Sequence, residues 1–360
     1  LNREEGLSDY TGFPFFATIE RNTVLEKENR MINAETVSKK SQSHLGPVLF
    51  LLFLAPMTGE ILSSSLPPLE FIQPVTMLLQ IFLYGCGALL IRELKVRRQL
   101  GWMSVFLLGL AYGIYEEGVV VRSFFDPLWM DLGFYGTFGR WVGVNWIWTI
   151  NLEIFHAVIS ILSPLLIVDV LFPAHRKQPW LKKGGLIAAL AAFSSMMLFG
   201  LGFGMKATFF QIVLCFVIMG VLVLIALKLP PIRKTHVSVA KPRRFYWLGF
   251  LGMFLFFMIY ILLPNIGLPA LLCWWLACGV IVLYAAFTRW LDQLGEMFSP
   301  SQKIAFVTGT LTLWFFFDIL VTLDETHTSD TRGLILFSFC YLMALFFLWF
   351  KTNKNTVVEG

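Results

Sequence analysis

Polar sequence is what this chain has least of. Only 14% of its 360 residues are charged, against 57% hydrophobic, and beyond residue 44 no polar stretch is long enough to fold as a separate domain. A soluble globular fold is excluded on those grounds. The five cysteines, Cys86, Cys215, Cys273, Cys278 and Cys340, all lie in apolar runs and show no CxxC spacing, so neither a disulfide framework nor a structural zinc site is expected. No strand leads into the glycines of GLGFGMK, residues 200–206, which leaves close helix packing rather than phosphate binding as their reading. A signal peptide is likewise not expected, because the start has no basic segment leading into a short apolar core, and neither is an ATPase module, since no phosphate loop is read in the sequence.

What is present is a series of apolar runs, each near the roughly 20 residues needed to cross a bilayer. They predict an all-α, polytopic integral membrane protein with helices at about 46–63, 70–91, 102–121, 144–172, 185–204, 207–228, 245–263, 266–288, 304–323 and 334–350. One transmembrane domain, 45–350, then lies between a disordered polar tail, 1–44, and a short tail, 351–360. Met31 reads as a start, which would leave residues 1–30 outside the natural chain. Lys and Arg favour cytoplasmic loops. Ten spans with both termini cytoplasmic leave only Arg122, Arg140, Lys206 and Arg332, of 28 Lys and Arg, on the other face. The net charge of +5 is therefore a topology signal. The expected partner is the lipid bilayer, with no nucleic acid, and the expected location is a bacterial or archaeal cytoplasmic membrane.

Ionisable side chains inside apolar helices are costly, about 2.5–3.5 kcal/mol each at mid-bilayer, and so mark candidate sites. This topology places Glu60, Glu116, Glu117, Glu153, His156 and Asp318 in the outer half of the membrane, with Arg122 just beyond helix three. Helix four, in GVNWIWTINLEIFHAVISILSP, sets Thr149, Glu153, His156 and Ser160 on one face by steps of three and four. A carboxylate beside an imidazole can hold its tautomer, relay protons or act as a general base. Glu116, Glu117, Glu153 and His156 together could also ligate a divalent metal, although no cofactor is evident. Gly109 and Gly113 form a small-xxx-small step that would bring helix three close to a neighbour. Five helices followed by five would suit an inverted repeat, pairing Asp318 with Glu153.

Helices three and four are joined by RSFFDPLWMDLGFYGTFGRWVGVNW, too long for a simple turn. Loops of this kind are lids or re-entrant segments. Trp129, Trp141, Trp146 and Trp148 would then be either an interfacial aromatic belt or a cover over the acids.

The segment EEGVVVR, with His156 following 39 residues after Glu117, resembles the first two motifs of the CPBP intramembrane protease family, relatives of CAAX prenyl endopeptidases. The resemblance spans residues 101–172. It implies that Glu116, Glu117 and His156 activate an attacking water. Four residues rather than three separate Glu117 from Arg122, Leu152 stands where the motif has Phe, and no later His falls in a helix, since His175, His236 and His327 lie in loops. The family's site is expected to open to the cytoplasm, whereas the charge bias puts these acids on the outer side.

Three functions remain open. The first is a transporter or solute-binding permease-like protein using Glu60, Glu116, Glu117, Arg122, Glu153, His156 and Asp318 to bind a small cation or polar solute. The alternative is a CPBP-like peptidase, or an inactive relative, with Glu116, Glu117 and His156 catalytic. The third is an accessory membrane subunit. The topology itself predicts that an impermeant maleimide reaches Arg332→Cys in intact cells and Arg98→Cys only after the cells are opened; the reverse pattern would invert the orientation.

Overall fold

A computed structural model describes residues 43–129, 132–201, 207–230, 240–324 and 330–358. The expected tail up to residue 42 lies outside the described residues, as do Met31, Lys206, His236 and His327. The helices are α1 Leu45–Ile61, α2 Pro74–Arg97, α3 Trp102–Val120 and α4 Trp146–Leu171. They continue with α5 Lys183–Leu201, α6 Phe209–Lys228, α7 Pro242–Asn265, α8 Ala270–Leu294, α9 Pro300–Leu323 and α10 Leu334–Val358. Eight of them are long and apolar enough to cross a membrane, and α1 and the apolar part of α5 are shorter. The chain is thus an all-α, multi-pass membrane protein, and its ten long helices match the ten apolar runs.

Local chemistry explains the boundaries. Pro74, Pro242 and Pro300 open α2, α7 and α9 at the first helical position, where a missing N–H costs nothing. Reciprocal capping boxes start α6, through Thr208 and Gln211, and α9, through Ser299 and Gln302. Gln211 is therefore a capping residue. At their basic ends several helices outrun the apolar runs: α2 continues to Arg97, α8 to Leu294 and α10 to Val358, past the boundary expected near 350. Lys, Arg and Glu are good helix formers, so polarity ended the hydropathy signal before it ended the helix.

α3 and α4 are buried along almost their whole length and α9 along most of it, while α6, α7, α8 and α10 show mainly exposed apolar faces suited to lipid. α9 packs most extensively on α7 and α10. Glycines permit the closest approaches. A Cβ at Gly249 of α7 would strike the Phe306 carbonyl, and one at Gly309 of α9 would strike the Tyr246 carbonyl. Gly109 of α3 faces α4 as its spacing suggested, where a Cβ would come within 2.8 Å of the Ala157 Cα. Gly200 packs against the Val120 carbonyl, while Gly202 and Gly204 lie outside the described residues.

Five helices contain π-helical turns: Met57–Ile61 in α1, Ile81–Gly85 in α2, Ile114–Val120 in α3, His156–Leu162 in α4 and Met258–Leu262 in α7. Such turns insert an extra residue, widen the helix locally and are frequent at functional sites. The α3–α4 connection folds onto the protein, with Ser123, Phe124, Phe125, Tyr135 and Asn145 buried. It ends in the hairpin β1 Arg140–Trp141 and β2 Val144–Asn145.

Asp318 of α9 is fully buried and accepts hydrogen bonds from Ser64, beyond α1, at 2.6 Å, and from Ser338 of α10. It is a tie between segments. At the other end of α9, Lys303 pairs with Asp169 of α4. The Gly109 contact predicts that Gly109→Val lowers stability by about 1–3 kcal/mol through overpacking, whereas Gly220→Ala, in open space on α6, changes it little. Thermal melts of the purified protein would compare the two.

Candidate functional site

The buried acids of α3 meet the histidine of α4. His156 Nε2 lies 3.1 Å from Glu117 Oε1, and His156 Nδ1 lies 3.2 Å from Glu116 Oε2 and 3.2 Å from the Ser160 hydroxyl. Both ring nitrogens are thus engaged by carboxylates of one neighbouring helix. Consecutive residues on a regular α-helix point about 100° apart. Glu116 and Glu117 nevertheless share one imidazole; both lie in the π turn of α3, and His156 opens the π turn of α4.

The same geometry departs from the expected pairing of Glu153 with His156. Glu153 instead sits against α3, where a Cβ on Gly113 would be 3.0 Å from its Oε1. Glu153 precedes the π turn and His156 opens it, with the His156 N–H still bonding the Leu152 carbonyl as in a regular α-helix, and Gly113 leaves room for the Glu153 carboxylate against α3. Thr149 donates to the Asn145 carbonyl at 2.7 Å and takes no part.

Two further π turns complete the surroundings. Glu60, half-buried in the turn of α1, lies beside the Tyr84 phenol from the turn of α2 and faces Glu116 and His156. The rings of Tyr84 and Tyr112 flank His156 at centroid distances of 6.1 and 5.9 Å. Three buried polar atoms, Glu116 Oε2, Tyr112 Oη and Glu153 Oε1, have no hydrogen-bond partner among the described residues. A single imidazolium cannot neutralise three facing carboxylates, so protons or a cation must balance the remainder.

The connection beyond α3 anchors the other side. Arg122 adopts a left-handed backbone, φ 61°, which is uncommon for a residue other than glycine. It turns the chain so that the buried Ser123 hydroxyl reaches Glu117. Ser123 in turn accepts from Trp148 Nε1 at 2.8 Å. Asn145 caps α4 by accepting from the Trp148 N–H at 2.9 Å and donates to the Tyr135 carbonyl. Trp148 is therefore part of a cover over the acids, while Trp141 and Trp146 stack on each other at the hairpin, 5.9 Å apart. The Arg122 guanidinium donates to the Val119 carbonyl at 3.2 Å.

The structure thus brings together Glu60, Glu116, Glu117 and His156, sets Glu153 one turn away against α3, and holds Asp318 elsewhere with Ser64 and Ser338. Ser123, Tyr84 and Tyr112 were missed in the sequence. Tyrosines deep in apolar helices were the available signal, since a buried phenol needs a polar neighbour. Ligand atoms from Glu116, Glu117 and His156 lie within 4.8 Å of one another, a nitrogen and two oxygens that suit a borderline divalent metal such as zinc or manganese.

The chain belongs to a family described as an uncharacterized membrane protein family, whose model matches residues 49–356. It is similar to a protein of Archaeoglobus fulgidus named "Uncharacterized protein", with 24% identity over 315 residues, covering 82% of this chain and 85% of that one. No solved structure matches the chain. Neither match carries the CPBP name, so that likeness rests on the motif residues of 101–172 alone.

Removing the shared imidazole should be costly. His156→Ala leaves Glu116 and Glu117 facing each other and is expected to destabilise the protein by about 3–5 kcal/mol. Ser123→Ala, which strips one hydrogen bond from both Glu117 and Trp148, should cost about 1–3 kcal/mol. Adding Glu116→Gln to His156→Ala should recover part of the loss in a double-mutant cycle followed by thermal melts.

Proposed function

We propose that this family member is an intramembrane hydrolase of the glutamate–histidine type, resident in a bacterial or archaeal cytoplasmic membrane and acting on an amide or ester held at the bilayer. The observation that carries the reading is that His156 is held at one nitrogen by Glu117 while its other nitrogen lies 3.2 Å from the buried Oε2 of Glu116.

The roles follow from the partners. Trp148 and Ser123 fix Glu117, and Glu117 orients the ring, which is the orienting logic of a catalytic triad. Glu116, supported by His156, takes a proton from water as its oxygen bonds to the substrate carbonyl carbon. The buried Tyr112 hydroxyl, which faces the Glu116 carboxylate, donates to the carbonyl oxygen as negative charge develops. The proton then passes through His156 to the leaving nitrogen or oxygen, and the acyl–heteroatom bond breaks. The CPBP resemblance supports the same assignment, with Glu116, Glu117 and His156 at the matching positions.

A second reading, cation-coupled transport, is favoured by the acids that this chemistry leaves over. Glu153 keeps an unpartnered oxygen among the described residues, and Glu60 is half-buried at the edge of the cluster.

Fluorogenic acyl amides and esters offered to the reconstituted protein test the proposal. Cleavage should fall by about 10²-fold or more in Glu116→Gln and in His156→Ala, persist in Glu153→Gln, and survive chelation of divalent metals. Absence of cleavage, with proton- or cation-coupled uptake into proteoliposomes that Glu153→Gln abolishes, would replace hydrolysis with transport.

A further inference from the structure

A second concavity lies at the other end of α3. A cavity of about 610 Å³ lies among the ends of α2, α3, α4, α6 and α8 and the start of α9, roughly 20 Å from Glu116 along α3 at 1.5 Å per residue. Its size falls within the usual range for small-molecule sites. It opens on the face that carries most of the chain's Lys and Arg.

Charge in this basin is unequal, and the inequality survives pairing. Six cations, Lys95, Arg98, Arg176, Lys177, Arg289 and Lys303, face three carboxylates. Every one of those carboxylates is already engaged. Asp169 pairs with Lys303, and Glu296 holds Arg176 at 2.6 Å and Lys177 at 2.8 Å. Asp292 accepts from the Trp102 and Met103 N–H groups that begin α3. Among the described residues Lys95, Arg98 and Arg289 make no ion pair. Lys95 lies over the Trp102 ring at 4.4 Å, and Arg289 reaches the Pro230 carbonyl at 3.4 Å.

Three cations that line one polar cavity and make no ion pair among the described residues, beside carboxylates already engaged elsewhere, form a recognition site for an anion. Ammonium and guanidinium donors lining one cavity match the several acceptor oxygens of a phosphate. Leu100, Leu227 and Leu229 in the same wall would accept an apolar stem beside it. Basic pockets between transmembrane helices on the Lys- and Arg-rich side are the places where anionic headgroups dock.

We propose that this basin binds a phosphate-type anion through Lys95, Arg98 and Arg289, supplied either by the headgroup of an anionic membrane lipid or by a soluble phosphate compound. It is a second site, separate from the glutamate–histidine cluster and independent of the hydrolase reading.

The test is melting of the purified full-length protein titrated with phosphatidylglycerol, phosphatidylcholine or inorganic phosphate. Phosphatidylglycerol alone raising the melting temperature identifies a lipid headgroup; inorganic phosphate saturating at millimolar concentration and blocking the lipid effect identifies the soluble source. In either case Lys95→Met with Arg289→Gln should weaken binding on the order of tenfold, and Arg332→Gln, outside the basin, should leave it unchanged. Should the double variant fail to fold, Arg98→Gln, exposed at the rim, should still weaken binding several-fold. Absence of binding by either anion, or undiminished binding by the variants, would overturn the proposal.

Discussion

Two carboxylates on consecutive residues within a membrane helix must find opposite charge or protons inside the protein, because lipid offers neither. Here they share one imidazole, 3.1 and 3.2 Å away, and much of the arrangement around α3 and α4 follows from holding that contact. The two helices approach closely through Gly109 and Ala157, which brings the ring to the acids. Breaking a buried charge contact on one side costs more than the contact yields when intact, since the remaining charge is left in a low-dielectric interior.

The contact is also locked from outside the membrane-spanning helices. Arg122 reverses the chain, Ser123 bonds Glu117, and Trp148 bonds Ser123, so the α3–α4 connection is joined to the acids by side-chain hydrogen bonds. Asn145 joins that connection to the start of α4. A displacement of the cover would therefore be felt at Glu117, and through it at His156. Hydrogen bonds in such a chain polarise one another, which makes the ends of the chain interdependent.

Much of the fold was legible because hydropathy reports burial in lipid directly. Each of the ten apolar runs became a helix; the errors lie at basic ends such as Leu94–Arg97 of α2, where helix propensity outlasts hydrophobicity, and at starts such as Pro74 and Ala270, which come later than the apolar runs suggested. The meeting of Glu116, Glu117 and His156 was legible in their common depth in the membrane and in the motif resemblance. Spacing alone pointed to Glu153 as the partner of His156, because an i, i+3 step places two side chains on one face without saying where a neighbouring helix leaves room, and Gly113 of α3 leaves it for Glu153. Asp318 misled for a different reason: an acid in an apolar run signals a buried partner, but not whether the partner is a reactive group or a pair of serines. Ser123 left no trace in sequence, since a serine after a helix is ordinary until the left-handed Arg122 directs it inward.

The π turns carry a consequence for how such a site is inherited. Each is one residue added to a helix, so losing a single codon there could restore an ordinary α-helix and rotate everything beyond it by about 100°. Composition, hydropathy and the number of spans would hardly change, yet Glu116 and Glu117 could no longer face the same ring. The polar centre is thus encoded partly in arithmetic, as the count of residues between helix start and acid, and relatives that keep every acidic residue can lose it through a one-residue gap.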